Sequence, residues 1–310
     1  MLNPSGRVVV IGAGNVGASI AYSILNQEIA HEILILDIAE EMAKAQVLDM
    51  QDASNFTHGV SVKYADYKDI DDGDIVVITC GAAQKEGQTR TELLGINAKI
   101  IRDVISKIKT TRKNVYVCMV TNPVDVLAYI AVKESGLPEA QVFGSGTILD
   151  TSRLKGAIGR DAHVNSNNVH AYIMGEHGDT SLPVLSSGNI ANMPLDTFVK
   201  LNDQYYTDIA EKIRNTAYEI IKGKKATYYG IGNAVASICK TIIRNENKIY
   251  PLSVILKGQY NAKDVSIGVP VMLNSDGYKI VGEVPLNDLE RNLFDESVKT
   301  VKANIQAANA

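Results

Sequence analysis

Through the first half of the chain, short apolar runs alternate with longer amphipathic stretches. Arg7–Ile11 and Glu32–Leu36 are dense in Val, Ile and Leu, the pattern of strands buried on both faces. Val62–Tyr67, Asp74–Cys80, Val115–Val120 and Gln141–Gly144 repeat it. Helical patterns lie between them, among them Ala18–Asn26 and Glu92–Lys109. Six strands with crossover helices predict an α/β chain whose residues 1–145 form a doubly wound parallel sheet. After Gly146 the order changes. Ile148–Ile158 reads as a helix, Val169–Met174 as a strand, Asp196–Ile221 as a long amphipathic helix and Ile231–Ile243 as another. Tyr250–Tyr260 and Val265–Val284 read as strands, with a hairpin turn at Asn274–Gly277, and Leu286–Ala308 reads as a terminal helix. Residues 146–310 are therefore expected to form a second, α+β domain.

The first strand runs straight into Gly12-Ala13-Gly14-Asn15-Val16-Gly17. A GxGxxG alone is a weak signal. Here it sits between a strand and a helix, and an acidic residue, Asp37, ends the next strand about 20 residues further on. This is the fingerprint of a dinucleotide-binding Rossmann fold. Gly12 permits the tight turn, Gly14 lets the backbone approach a pyrophosphate, and Gly17 allows close helix–strand packing. The helix N-terminus at Asn15 and Val16 offers free N–H groups to phosphate. Asp37 would accept from the ribose hydroxyls and repel a 2′-phosphate, so NAD is expected rather than NADP. Such sheets bind ligands outside the carboxyl ends of their strands. Gly81-Ala82 and Thr121-Asn122-Pro123 leave two further ends.

Composition narrows the class. The chain has 310 residues, 45% of them hydrophobic, enough for about two domains. A formal charge of −4 argues against nucleic acid or an anionic membrane as the main partner. Cys80, Cys118 and Cys239 are too few and too scattered for a disulfide framework or a zinc site, which suits a reducing compartment such as the cytoplasm. The N-terminus lacks the basic-then-apolar order of a secretory signal. No apolar run is long enough to cross a membrane.

The chemistry is expected around Gly175-Glu176-His177-Gly178-Asp179. Histidine exchanges protons near neutral pH, and flanking glycines let backbone approach a ligand. Asp150 and Arg153, three apart on a predicted helix, share one face. Gly81–Arg90 is glycine-rich and polar, the composition of a loop that closes over a site.

Taken together, GAGNVG from Gly12, Asp37, GAAQKEGQTR from Gly81, TNPVD from Thr121, LDTSR from Leu149, GEHGDT from Gly175 and ATYYGI from Ala226 resemble the lactate/malate dehydrogenase family, in particular its bacterial L-lactate dehydrogenases, from Arg7 nearly to the C-terminus. The resemblance implies an NAD-dependent oxidoreductase interconverting pyruvate and L-lactate, the end step of anaerobic glycolysis, and a cytoplasmic homotetramer. By the same resemblance, residues 146–310 bind substrate and His177 is the acid/base. Asp150 orients it, Arg153 clamps the substrate carboxylate and Arg90 polarises the carbonyl. Asn122 holds the substrate oxygen near the nicotinamide and Thr227 lines the pocket. Gln84 stands where the family's malate enzymes carry arginine, and Glu86 where proline is frequent. Lys155 and His170 match the positions that hold fructose 1,6-bisphosphate in allosteric relatives, Lys155 replacing an arginine. The alternatives are a malate or broader 2-hydroxy acid dehydrogenase, an NAD-using glycoside hydrolase, which needs a metal-holding Cys/His set, and a non-catalytic dinucleotide-binding protein.

Overall fold

The structure, a computed structural model, describes residues 3–82 and 90–309, without the side chains of Arg90 and Thr91. Gln84 and Glu86 lie outside the described residues, as does the Arg90 side chain.

The expected parallel sheet is present. Its strands are β1 (Arg7–Ile11), β2 (Glu32–Leu36), β3 (Ser61–Tyr64), β4 (Ile75–Ile78), β5 (Tyr116–Met119) and β6 (Val142–Gly144). They lie in the order β6-β5-β4-β1-β2-β3, all neighbours parallel. All four residues of β4 and of β5 are buried, because helices cover both faces. Those helices are α1 (Asn15–Asn26), α2 (Glu40–Ser54), α3 (Arg90–Thr110) and α4 (Val124–Ser135).

The second half contributes α5 (Ile148–Asp161), β7 (Val169–Met174), β8 (Leu182–Ile190), β9 (Met193–Pro194), α6 (Asp203–Lys224) and α7 (Tyr229–Ile243). It ends with β10 (Lys248–Lys257), β11 (Lys263–Asn274), β12 (Gly277–Lys279) and α8 (Asp288–Asn309). Strands β7, β8 and β9 form a small antiparallel sheet. The β10–β12 meander does not form a separate sheet. It adds antiparallel to β6 through Ser253 opposite Gly144, extending the parallel sheet to nine strands. The two halves thus share one sheet rather than only facing each other across a cleft.

Several boundaries differ from expectation for local reasons. The third strand stops at Tyr64 because Asp66 caps a tight turn, accepting from the Tyr67 amide at 2.7 Å while Asp69 accepts from its own. The long helix starts at Asp203, not Asp196. Residues 195–197 form a single turn after Pro194, and Asn202 caps the helix by accepting from the Tyr205 amide at 2.8 Å. Tyr260 lies in a turn at φ +53°, beyond the end of β10. The hairpin expected at Asn274–Gly277 is present between β11 and β12, but its second strand ends at Lys279, not Val284. Strand β8 was not expected at all. No helix among the described residues is long and apolar enough to cross a membrane.

Candidate active site

The stretch carrying His177 leaves β7 at Gly175, whose φ of +90° suits glycine. Space demands it too: a Cβ here would come within 2.7 Å of Ser297 Oγ and 2.9 Å of Leu182 Cδ2. Gly175 and Gly268 of β11 exchange backbone hydrogen bonds, both 3.0 Å. The Glu176 amide donates to Ser297 Oγ of α8 at 2.7 Å. The loop is therefore held at three consecutive residues, because the His177 amide itself donates to Asp125 Oδ2 at 2.7 Å.

Asp150 reaches the histidine from α5. Two threonines flank it on the helix and both bond to Ile173 of β7. Thr147 Oγ1 donates to the Ile173 carbonyl at 2.6 Å, and Thr151 Oγ1 accepts from its amide at 2.9 Å. These bonds fix helix against strand, so the buried Asp150 meets the ring. Its Oδ2 lies 2.6 Å from His177 Nδ1, and its Oδ1 accepts from Arg153 Nη1 at 2.8 Å.

The charges follow. Burial disfavours the His177 imidazolium, but the Asp150 carboxylate beside it, helped by Asp125, outweighs burial and lifts the ring to about 9. Burial likewise raises the Asp150 carboxyl, and His177 with Arg153 reverses this, leaving it below the usual carboxylate range. At neutral pH the ring is charged. Nδ1–H then donates to Asp150, and Nε2–H has no partner among the described residues. An imidazolium with one N–H held and the other free can give a proton to a ligand oxygen and take it back. Apart from Nη1, the guanidinium of Arg153 has no hydrogen bond among the described residues, so its planar fork can grip a carboxylate.

The nucleotide end lies beyond the carboxyl ends of β1, β2 and β4. Gly12 (φ +111°) could not carry a side chain, since its Cβ would sit 2.5 Å from Thr79 Oγ1. A Cβ on Gly17 would overlap the Gly12 carbonyl oxygen at 1.8 Å. Gly14 differs. Nothing lies within 4 Å of where its Cβ would be, so the backbone faces open space in front of α1. Asn15 is exposed and Val16 half-buried at the start of that helix, and its first turn carries no acidic residue to repel phosphate. A cleft of about 860 Å³, bordered by Gly12, Gly14, Asp37, Gly81 and Ala82, continues from there. Asp37 accepts from the Ala13 amide at 2.6 Å and the Ala39 amide at 2.9 Å, so the same carboxylate braces the glycine loop. Open cradle, helix terminus and acidic cleft wall suit a dinucleotide.

Two residues given no role in the sequence reading, Asp125 standing at the end of TNPVD, complete the frame. Asn97 of α3, 2% exposed, accepts from the Ala82 amide at 2.8 Å and donates to the Asn122 carbonyl at 2.9 Å. It joins the segments that leave β4 and β5, bringing Gly81, Ala82 and Asn122 together. Asp125, 2% exposed, also accepts from Ser253 Oγ of β10. Burial raises its carboxyl to about 6 against the pull of these two hydrogen bonds. Its signal was a lone carboxylate within the apolar run VDVLAYIAV; Asn97 carried none. Thr227 is half-buried between α6 and α7, with no hydrogen bond to His177 or Arg153 among the described residues. Lys155 and His170 come together in a cleft of about 720 Å³ that Ser152, Asn167 and Asn233 also line. Burial there lowers the Lys155 ammonium.

Comparison with known proteins agrees with this geometry. Residues 6–144 match the family model for the lactate/malate dehydrogenase NAD binding domain, and residues 147–310 match that for the lactate/malate dehydrogenase alpha/beta C-terminal domain. The L-lactate dehydrogenase of Halalkalibacterium halodurans is 43% identical over 303 residues, covering 97% of each chain. A crystal structure of a lactate dehydrogenase from a Medee basin deep-sea metagenome library superposes with a TM-score of 0.95 at 42% identity, covering 100% of both chains. That of the minor L-lactate dehydrogenase of Enterococcus mundtii in its ligands-bound form gives 0.94 at 37% identity, covering 97% of each chain. The chain belongs to the lactate/malate dehydrogenase family, an NAD-dependent oxidoreductase family.

Proposed function

We propose that the protein is an NAD-dependent L-lactate dehydrogenase interconverting pyruvate and L-lactate. The observation that carries the reading is the chain of contacts from His177 through Asp150 to Arg153, with ring and guanidinium each retaining donors that are free among the described residues. The names of the relatives point the same way. When bound, NADH supplies the hydride. His177 Nε2 gives its proton to the keto oxygen as the adjoining carbon is reduced, and in the reverse direction takes it from the hydroxyl. Asp150 fixes the tautomer and stabilises the charged ring. Arg153 binds the substrate carboxylate with two parallel charge-assisted bonds, and its link to Asp150 ties that grip to the acid/base. On the sequence reading, Arg90 polarises the keto oxygen, Asn122 holds it, and Thr227 and Gln84 face the substrate's third carbon. The nucleotide is held by Gly12, Gly14, Asn15, Val16, Gly17, Asp37, Gly81, Ala82 and Asn122.

We divide the chain at residues 145 and 146 into a cofactor half and a substrate half. We further place it in the cytoplasm, where free thiols at Cys80, Cys118 and Cys239 persist, and read it as a homotetramer. Fructose 1,6-bisphosphate is the proposed effector, held by Lys155 and His170, which line one cleft.

The test is consumption of NADH over a panel of 2-keto acids. Pyruvate is expected to give the highest kcat/KM, because neutral Gln84 leaves a second carboxylate unpaired in a closed site. Gln84→Arg is expected to move preference toward oxaloacetate. A wild type that already prefers oxaloacetate would transfer the reading to malate.

A further inference from the structure

His177 is held by two carboxylates, and they come from different halves of the molecule. Asp150 of α5 takes the ring, and Asp125 of α4 takes the backbone amide. Asp125 is also held on its far side. It stands in the first turn of α4, three residues after Asn122, and its other oxygen accepts from Ser253 Oγ. Ser253 is itself fully buried at the register where β10 meets β6. The packing there has no slack: a Cβ on Gly144 would come within 2.9 Å of both Ser253 Cβ and Val124 Cγ2.

One carboxylate thus connects the segment leaving β5, the strand joining the halves and the loop of the acid/base. Buried carboxylates are expensive, and among the described residues burial is offset here by the donors from His177 and Ser253 and by the charge of the nearby ring. A neutral side chain would brace the loop at lower cost. The charge therefore asks for an explanation that bracing alone does not give.

We propose that Asp125 is a positioning residue for the proton-transfer step. It sets the height of His177 over the cofactor half and, as a second carboxylate, holds the ring in its protonated form. This rests on the reading of His177 as the acid/base. Among the described residues, the charged groups acting on the ring are Asp150 and Arg153 from α5 and Asp125 from α4, with Glu176 on the same loop near Asp125. Removing Asp125 leaves the ring hydrogen bond to Asp150 intact, and Asp125, unlike Glu176, is one of the carboxylates that raise the ring.

The experiment uses Asp125→Asn, which keeps the shape and an acceptor for the His177 amide while removing the charge, and Asp125→Ala, which removes both. The titration of His177 is followed by NMR of isotope-labelled histidine, the signal assigned with His177→Asn. This readout needs no turnover and so stands apart from the choice of substrate. Asp125→Asn is expected to lower the midpoint by roughly one unit. In steady-state assays the pH at which the pyruvate KM begins to rise should fall in step. Asp125→Ala should also lose kcat on the order of 10²-fold through a misplaced ring, with NADH affinity unchanged within about twofold. If Asp125→Ala does not fold, Asp125→Asn decides alone. An unshifted His177 midpoint in a folded Asp125→Asn variant overturns the proposal. Failure of the wild type on pyruvate, with the midpoint shift present, overturns the choice of substrate and not the role of Asp125.

Discussion

Asp150→Asn removes the main attraction that keeps His177 protonated, and the structure gives the size of the effect. With Asp150 present the ring is lifted to about 9, against an ordinary value of 6.5. Without it, burial acts against the charged form, so the midpoint falls to the ordinary value or lower. A group whose folded value is raised holds its proton below that value and loses it above. At pH 8 the wild-type ring is therefore about 90% charged, and the variant's at most about 3%. Binding of a keto acid that needs the imidazolium weakens by about 30-fold, or about 2 kcal/mol. As pH falls toward 6 this penalty shrinks, because the variant's ring recovers its proton. The loss in kcat, on the order of 10²–10⁴ through the misoriented ring, does not recover in the same way. The assay is the pyruvate KM from NADH consumption in both proteins between pH 6 and pH 9. A KM ratio that stays constant over this range would refute the argument, since a purely structural defect has no reason to follow the ring's titration.

Three further outcomes are expected. With Asp37 on the cleft wall, kcat/KM for NADH should exceed that for NADPH by at least tenfold; equal values would mean that Asp37 does not meet the ribose. Glu290, fully buried, accepts from the Leu185 and Ser186 amides at 2.9 Å, from the Asn287 amide at 3.0 Å and from the Tyr206 hydroxyl. Glu290→Ala leaves these donors unpaired, at about 1–3 kcal/mol for each that stays unsatisfied, so it should cost roughly 3 kcal/mol or more in denaturant unfolding. Burial raises the Glu290 carboxyl, but these donors outweigh it and leave it below 4.5, so its contribution is present above pH 4.5 and fades as pH falls further. Fructose 1,6-bisphosphate should lower the pyruvate KM more at pH 6 than at pH 8, and less in Lys155→Ala; no effect on the wild type at either pH would discard the effector.

What the sequence made legible was local. The glycine loop, the buried strands on either side of it and Asp37 lie within one strand–helix–strand unit, so periodicity and spacing suffice. Strand β8 escaped because Ser186-Ser187-Gly188-Asn189 interrupts its apolar run; the fold makes it a strand by pairing with β7 and seating Glu290 against its backbone. The start of α6 was misplaced because amphipathic spacing continues through residues that Pro194 and the Asn202 cap keep out of the helix. In the site, the pairing of His177 with Asp150 came from family resemblance, since 27 residues separate them and no local rule joins them. Asp125 and Asn97 act on partners 52 and 25 residues away, and their roles became visible only with the chain folded.

The junction of β6 and β10 also bears on how the chain is made. Helix α4 is buried at Val124, Asp125, Val126, Leu127 and Ala128 in succession, so it is covered on every side, and part of that cover is β10 and β11. A nascent chain that has reached β6 holds an apolar helix with one wall missing, next to a strand whose outer edge has no neighbour. Both stay open until residues some hundred positions later are synthesised. An unpaired edge beside bare apolar surface is a template for misassociation between chains. A fragment ending after residue 145 would keep the whole nucleotide fingerprint and yet be an aggregation-prone half-product. The cofactor half is a unit of sequence, but part of the cover of its last helix and strand comes from β10 and β11.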